Sequence, residues 1–143
     1  KQRGSSVERA SRDASAETDR FQRRLVPPSL FTQWARPPSV AFVVRLWTGD
    51  LPAGRLTPLD FDLQQTVQVN LSGDELATFP DHGGAVLVTL PRADQARVPK
   101  LQEAIKAGFE RALAARGHDP VPLSFTLPGS VETASDALAM LKR

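Results

Sequence analysis

Val98, Leu101, Ile105, Phe109 and Ala112/Leu113 recur at helical spacing across residues 95–116. Lys100, Glu103, Lys106, Glu110 and Arg111 fall mostly on the other faces. Pro99 suits a first turn, and Arg116 followed by Gly117 suits a C-terminal stop. A helix apolar along one side must bury that side, and a sheet is the expected partner. Gly108 in the middle of the pattern suggests close packing against that sheet.

The strands come mostly before this helix. Ser39–Thr48 (SVAFVVRLWT) is rich in β-branched and aromatic residues. Residues 49–54 read as a turn-rich loop. Leu59, Phe61, Leu63, Val67, Val69 and Leu71 share one parity, with Asp60 and Asp62 opposite, which predicts one long half-buried strand over Leu59–Leu71, or two collinear ones broken near Gln64-Gln65. Leu76, Ala77 and Phe79 suggest a short edge element. Ala85–Leu90 is a continuous apolar run that suits a central strand, stopped by Pro91. Val121, Leu123, Phe125 and Leu127 alternate, and Pro122 places that strand at an edge. Val131, Ala134, Leu138 and Leu141 predict a closing helix capped by Ser130. The fold class expected is α+β: a small sheet of four or five strands, mainly antiparallel, with two C-terminal helices on one face and a loosely held N-terminal helix.

The first 38 of the 143 residues differ in character. Residues 1–24 read as a helical arm, with Val7, Ala10, Ala14 and Phe21 roughly along one stripe. So little apolar surface cannot offset the entropy of ordering it, so the arm should form on docking. Residues 25–38, bounded by two Pro-Pro pairs, read as an extended linker. Within it Leu30, Phe31 and Trp34 can make a short helical turn, capped by Ser29, that packs on the body. Residues 39–143 form the α+β domain.

Net charge is +2, too small to point to nucleic acid, which is not expected as a partner. Residues 1–50 carry a balance of +4 and residues 51–143 one of −2, so the excess sits in the arm around Arg20, Arg23 and Arg24. The chain has no cysteine, which removes disulfides, thiolate metal sites and cysteine nucleophiles. No stretch approaches the roughly twenty apolar residues of a membrane span.

No local catalytic motif is present. The two histidines stand as Asp81-His82 and His118-Asp119 in turns, where adjacent residues rarely serve one reaction centre. Asp60 and Asp62 read as the solvent side of their strand. No catalytic residue, metal ligand or cofactor is assigned.

Arg20-Phe-Gln-Arg-Arg24 has an RxxxR spacing, and Asn70-Leu-Ser72 is followed by Gly73. In these two motifs the chain partly resembles PilZ domains, which bind cyclic di-GMP through an RxxxR arm and a later [DN]xSxxG turn. The resemblance implies that Arg20, Arg24, Asn70 and Ser72 contact the dinucleotide. The chain departs from the pattern at Glu75, where the motif has its final glycine, and in a second half that turns helical.

The leading expectation is a non-catalytic binding or assembly domain whose partner is another protein or another copy. Phe21, Leu30, Phe31 and Trp34 are the candidate partner-binding residues, and Arg20, Arg23 and Arg24 the candidate anion-binding residues. The alternatives are a small-ligand or cyclic-dinucleotide sensor using those arginines, and a small enzyme using Asp60, Asp62, His82 or His118.

Overall fold

A computed structural model describes residues 24–47, 49, 53–81 and 83–142. Two antiparallel strands form its centre. β2 (Ser39–Leu46) pairs with β4 (Ala85–Pro91), in register from Ser39↔Pro91 to Arg45↔Ala85. Almost every residue in both is buried, because both faces of the sheet are covered. β3 (Leu76–Thr78) runs antiparallel to β4, and β1 (Leu25–Val26) lies parallel to β3. On the other side β5 (Leu123–Phe125) and β6 (Gly129–Val131) pair with opposite ends of β2. The order is β1-β3-β4-β2-β5, with β6 also beside β2. At the break between β5 and β6 the Thr126 hydroxyl accepts the Val43 N–H at 2.9 Å, and the Thr126 N–H donates to Val43 O at 2.9 Å. Phe42 and Phe125 pack as a tilted pair with centroids 6.2 Å apart, holding β5 to the sheet.

The helices are α1 (Pro28–Trp34), α2 (Ala53–Asn70), α3 (Val98–Ala115) and α4 (Ala134–Ala139). A 3-10 turn over Arg92–Arg97 leads into α3. Side-chain alternation along β2 sets two cores. Val40, Phe42, Val44 and Leu46 face α2 and α3, meeting Leu59, Leu63, Val67, Leu101, Ile105 and Phe109. Ala41 and Val43 face α1 and α4, meeting Phe31, Ala137 and Met140. The chain is α+β with a mixed, mainly antiparallel sheet, as expected. The two C-terminal helices, however, lie on opposite faces.

Five further local expectations differ. Residues 59–71 are not a strand. Leu59, Leu63 and Val67 are buried at four-residue intervals on α2, while Phe61 and Val69, which completed the alternation, face solvent. The expected loop before them ends at Ala53, where α2 begins. The cap of α1 is Pro27 rather than Ser29, and that of α4 is Thr133, whose hydroxyl accepts the Asp136 N–H at 3.0 Å. Ser130 belongs to β6. Gly108 packs against α2 rather than the sheet, since a Cβ there would meet Thr66 Cγ2 at 2.9 Å.

The end of α3 follows its sequence signature. Gly117 has φ +70, its N–H donates to Ala114 O, and the His118 N–H donates to Leu113 O at 2.9 Å. That is the Schellman arrangement, in which a left-handed residue lets the last carbonyls find donors.

Candidate protein-contact surface

α2 presents its buried side through Leu59, Leu63 and Val67, so the opposite side is formed by Pro58, Phe61, Gln65 and Val69. Phe61 is 54% exposed and Val69 75% exposed. Together with Trp47 and Leu127 they are the exposed large apolar side chains among the described residues. From Phe61 to Asn70 the sole charged residue is Asp62, and it is buried. A solvent face of this length ordinarily carries Lys, Glu or Arg. Loss of charge combined with exposed apolar groups is the composition of an interface centre.

Neighbouring side chains on α2 bond within the helix and to the chain entering beside it. Gln64 donates to Asp60 Oδ2 at 3.2 Å, and Gln68 Oε1 accepts the Leu25 N–H at 3.4 Å. The second contact places the entry of the chain from residue 24 beside α2. Beyond the helix, Glu75 is 3% exposed and takes the Arg97 guanidinium on both oxygens, Nε to Oε2 at 2.5 Å and Nη2 to Oε1 at 3.1 Å. Arg97 Nη2 also donates to Asn70 O at 2.9 Å, and the Ser72 N–H donates to Glu75 Oε1 at 2.7 Å. The side-chain hydrogen bond to Glu75 raises the Arg97 pKa further than burial lowers it. The C-terminal end of α2 is therefore pinned. Arg55 near its start and Asp74 just past its end are both exposed.

A separate half-open cavity of about 210 Å³ lies between the start of α2 and the loop after α3, lined by Arg55, Pro58, Leu59, His118, Asp119 and Val121.

The residues singled out from the sequence are dispersed. Phe31 is fully buried, and Leu30 and Trp34 pack half-buried on the same core, so this cluster covers the chain's own sheet. Residues 25–38 thus hold β1 and α1 rather than an extended linker. Phe21, Arg20, Arg23 and His82 lie outside the described residues. An Arg24 Nη donates to Gly73 O, and Ser72 and Asn70 sit at the same corner with their backbones bonded within the fold. Asp60 and Asp62 do not share a strand face. Asp60 accepts the Gly84 N–H at 2.8 Å, whereas Asp62 pairs with Arg116 at 3.0 Å and leaves Oδ2 without a partner. His118 lines the cavity, and neither aspartate does. Among the described residues no three His, Asp or Glu groups gather as a metal set, and no helix is long and apolar enough to cross a membrane. Phe61, Gln65 and Val69 escaped the sequence reading. The four-residue spacing of Leu59, Leu63 and Val67 was the signal that could have exposed them.

No family model matches the chain, and no curated protein matches it. Solved structures share its fold. One is a chain of the complex of diguanylate cyclase SiaD with its activator SiaC from Pseudomonas aeruginosa: TM-score 0.67, 14% identity, covering 99% of this chain and 63% of that one. This chain thus spans less than two thirds of that protein's length. Another is a DGC protein from Thermotoga maritima, with TM-score 0.58 and 10% identity, covering 83% of this chain and 94% of that one. The shared feature is the α+β fold.

Proposed function

We propose that this chain is a non-catalytic assembly domain that works through protein–protein contacts. Its contact face is the outer side of α2, and the N-terminal arm docks on a partner or another copy. The observation that carries this reading is the uncharged stretch bearing Phe61 and Val69, beside which the arm enters at Leu25. A neighbour with the same fold is a diguanylate cyclase crystallised with its activator, which is precedent for protein contact on this scaffold.

A photo-reactive amino acid at Phe61, introduced in cells that produce the protein, tests this. The expected result is one discrete crosslinked species, absent when the group is placed at Ser124 on β5. No discrete species from either position overturns the reading.

A second reading is a sensor for an anionic small ligand such as a cyclic dinucleotide, with Arg20, Arg23 and Arg24 as the clamp. It is favoured by the bond from Arg24 to Gly73, which holds that arginine beside Asn70 and Ser72. Calorimetric titration with cyclic di-GMP should show heat that Arg24→Ala removes. No heat from the unaltered chain rules it out.

A further inference from the structure

The cavity between the start of α2 and the loop after α3 has an apolar floor and a charged rim. Leu59, 5% exposed, belongs to the core beneath α2, and Val121 packs partly buried on that same core. Pro58 and Pro120 complete the apolar lining. Arg55 comes from α2, whereas His118 and Asp119 come from the loop, and all three are exposed. None of these three side chains has a hydrogen-bond or ion-pair partner among the described residues. A cation and an anion thus line one small recess from its two walls without pairing.

Both walls are held by the fold. The His118 N–H donates to Leu113 O at 2.9 Å, which sets where the loop leaves α3. Arg116, just before that loop, pairs with Asp62 at 3.0 Å and ties the end of α3 to α2. Pro58 and Pro120 restrict the backbone on either side. A ligand therefore meets little ordering cost on entering. At the roughly 30 Å³ that a water occupies in the liquid, the cavity of about 210 Å³ has room for about seven non-hydrogen atoms. That suits a branched aliphatic chain with its polar head at the open rim.

A ligand that matches this lining needs an apolar body, an anionic group for Arg55 and a cationic group for Asp119. A plain carboxylate would set like charge against Asp119, and a plain amine would do the same to Arg55. We infer that the cavity binds a free α-amino acid with an aliphatic side chain, of the size of leucine or valine. Its carboxylate lies on the Arg55 guanidinium, whose planar fork of N–H donors matches a carboxylate, and a ring N–H of His118 adds a further donor. Its ammonium lies on Asp119, and its side chain rests on Pro58, Leu59 and Val121. Phe61 and Val69 take no part in the cavity, so this inference goes beyond the assembly reading and does not depend on it.

Titration of the full chain with leucine, followed by NMR, tests it. The expected result is saturable movement of the backbone amide signals of Gly54, Arg55, His118 and Val121. Arg55→Gln and Asp119→Asn should each weaken binding by about tenfold or more, since each removes a charge-assisted bond. Both positions are exposed, so both variants should fold as the native chain does. Isocaproate lacks the ammonium and isoamylamine lacks the carboxylate, and each should bind at least about tenfold more weakly than leucine. Glycine lacks the apolar body and should bind more weakly than leucine too. No saturable movement with either leucine or valine overturns the inference. So does isocaproate binding as tightly as leucine, which would mark a plain anion site, or an affinity for leucine unchanged in both variants.

Discussion

Asp60 Oδ1 accepts the backbone N–H of Gly84 at 2.8 Å, tying α2 to the turn between β3 and β4. Gly84 in turn accepts the Leu46 N–H at 2.8 Å, so helix, turn and the end of β2 form one chain of bonds. The turn fits because Gly83 and Gly84 adopt φ +72 and φ +77, and a Cβ on Gly83 would come within 2.8 Å of Asp60 Oδ2. Side chains other than glycine rarely adopt such φ values.

Removing the carboxylate should loosen that corner. Asp60→Ala is expected to cost about 1.5 kcal/mol, the lower end for a charge-assisted hydrogen bond at a half-buried position. Asp60→Asn keeps an acceptor and should lose less. Gly83→Ala should cost about 1–2 kcal/mol from backbone strain. Its cost should fall in the Asp60→Ala background, where the close approach is gone. Urea denaturation of the native protein and the four variants measures all of this.

The pair of Arg97 and Glu75 makes an asymmetric prediction. Arg97→Ala leaves a buried carboxylate with a single strong donor, the Ser72 N–H, and should cost about 3 kcal/mol. Glu75→Gln leaves a guanidinium that is one third exposed and can turn to water, so its cost should be nearer 1–2 kcal/mol. The sign with pH follows from the raised Arg97 pKa. A raised folded value means the contribution is fully present below the unfolded value and is lost only as pH rises through the folded one. The gap between native and Glu75→Gln proteins should therefore stay flat from neutral to mildly alkaline pH. Denaturation midpoints at several pH values check it.

Two phenylalanines that look alike in sequence should behave oppositely. Phe31 is fully buried under α1, and Phe31→Ala should cost about 3–5 kcal/mol. Phe61 is more than half exposed, and at low protein concentration Phe61→Ala should change stability by no more than about 0.5 kcal/mol. Thermal denaturation of both variants separates a core residue from an exposed one. Equal losses would count against the outer face of α2 being available to a partner.

These two residues also show what could be read from the sequence and what could not. The centre was legible. Long apolar runs mark β2 and β4, and five apolar residues at helical spacing mark α3, because burial imposes those periods directly. α2 was not legible, since 59, 61, 63, 67, 69 and 71 fit a period of two while 59, 63 and 67 fit a helix equally well. The residues that tipped the choice, Phe61 and Val69, are the exposed ones. An exposed apolar face thus disguised the helix that carries it. Coverage of both sheet faces was implicit in β2, whose odd residues Ala41 and Val43 are as apolar as its even ones. The strands β1, β3, β5 and β6 have two or three residues each, too few for any period to show.

The crossing of α2 and α3 offers a test of packing alone. Gly108 lies opposite Thr66, and an added Cβ would stand 2.9 Å from Thr66 Cγ2. Thr66 cannot rotate away cheaply, because its hydroxyl donates to Asp62 O at 2.8 Å. Gly108→Ala gains about 1 kcal/mol of helix propensity. Overpacking at a tight contact costs about 1–3 kcal/mol. The clash should win, giving a net loss of about 1 kcal/mol. Thr66→Ser removes the methyl and keeps the hydroxyl, so the double variant should recover the propensity gain and exceed Thr66→Ser in stability. A double-mutant cycle by chemical denaturation measures this as a coupling of about 1–2 kcal/mol. Additive effects would show that the two helices separate to accept the methyl instead of holding their distance.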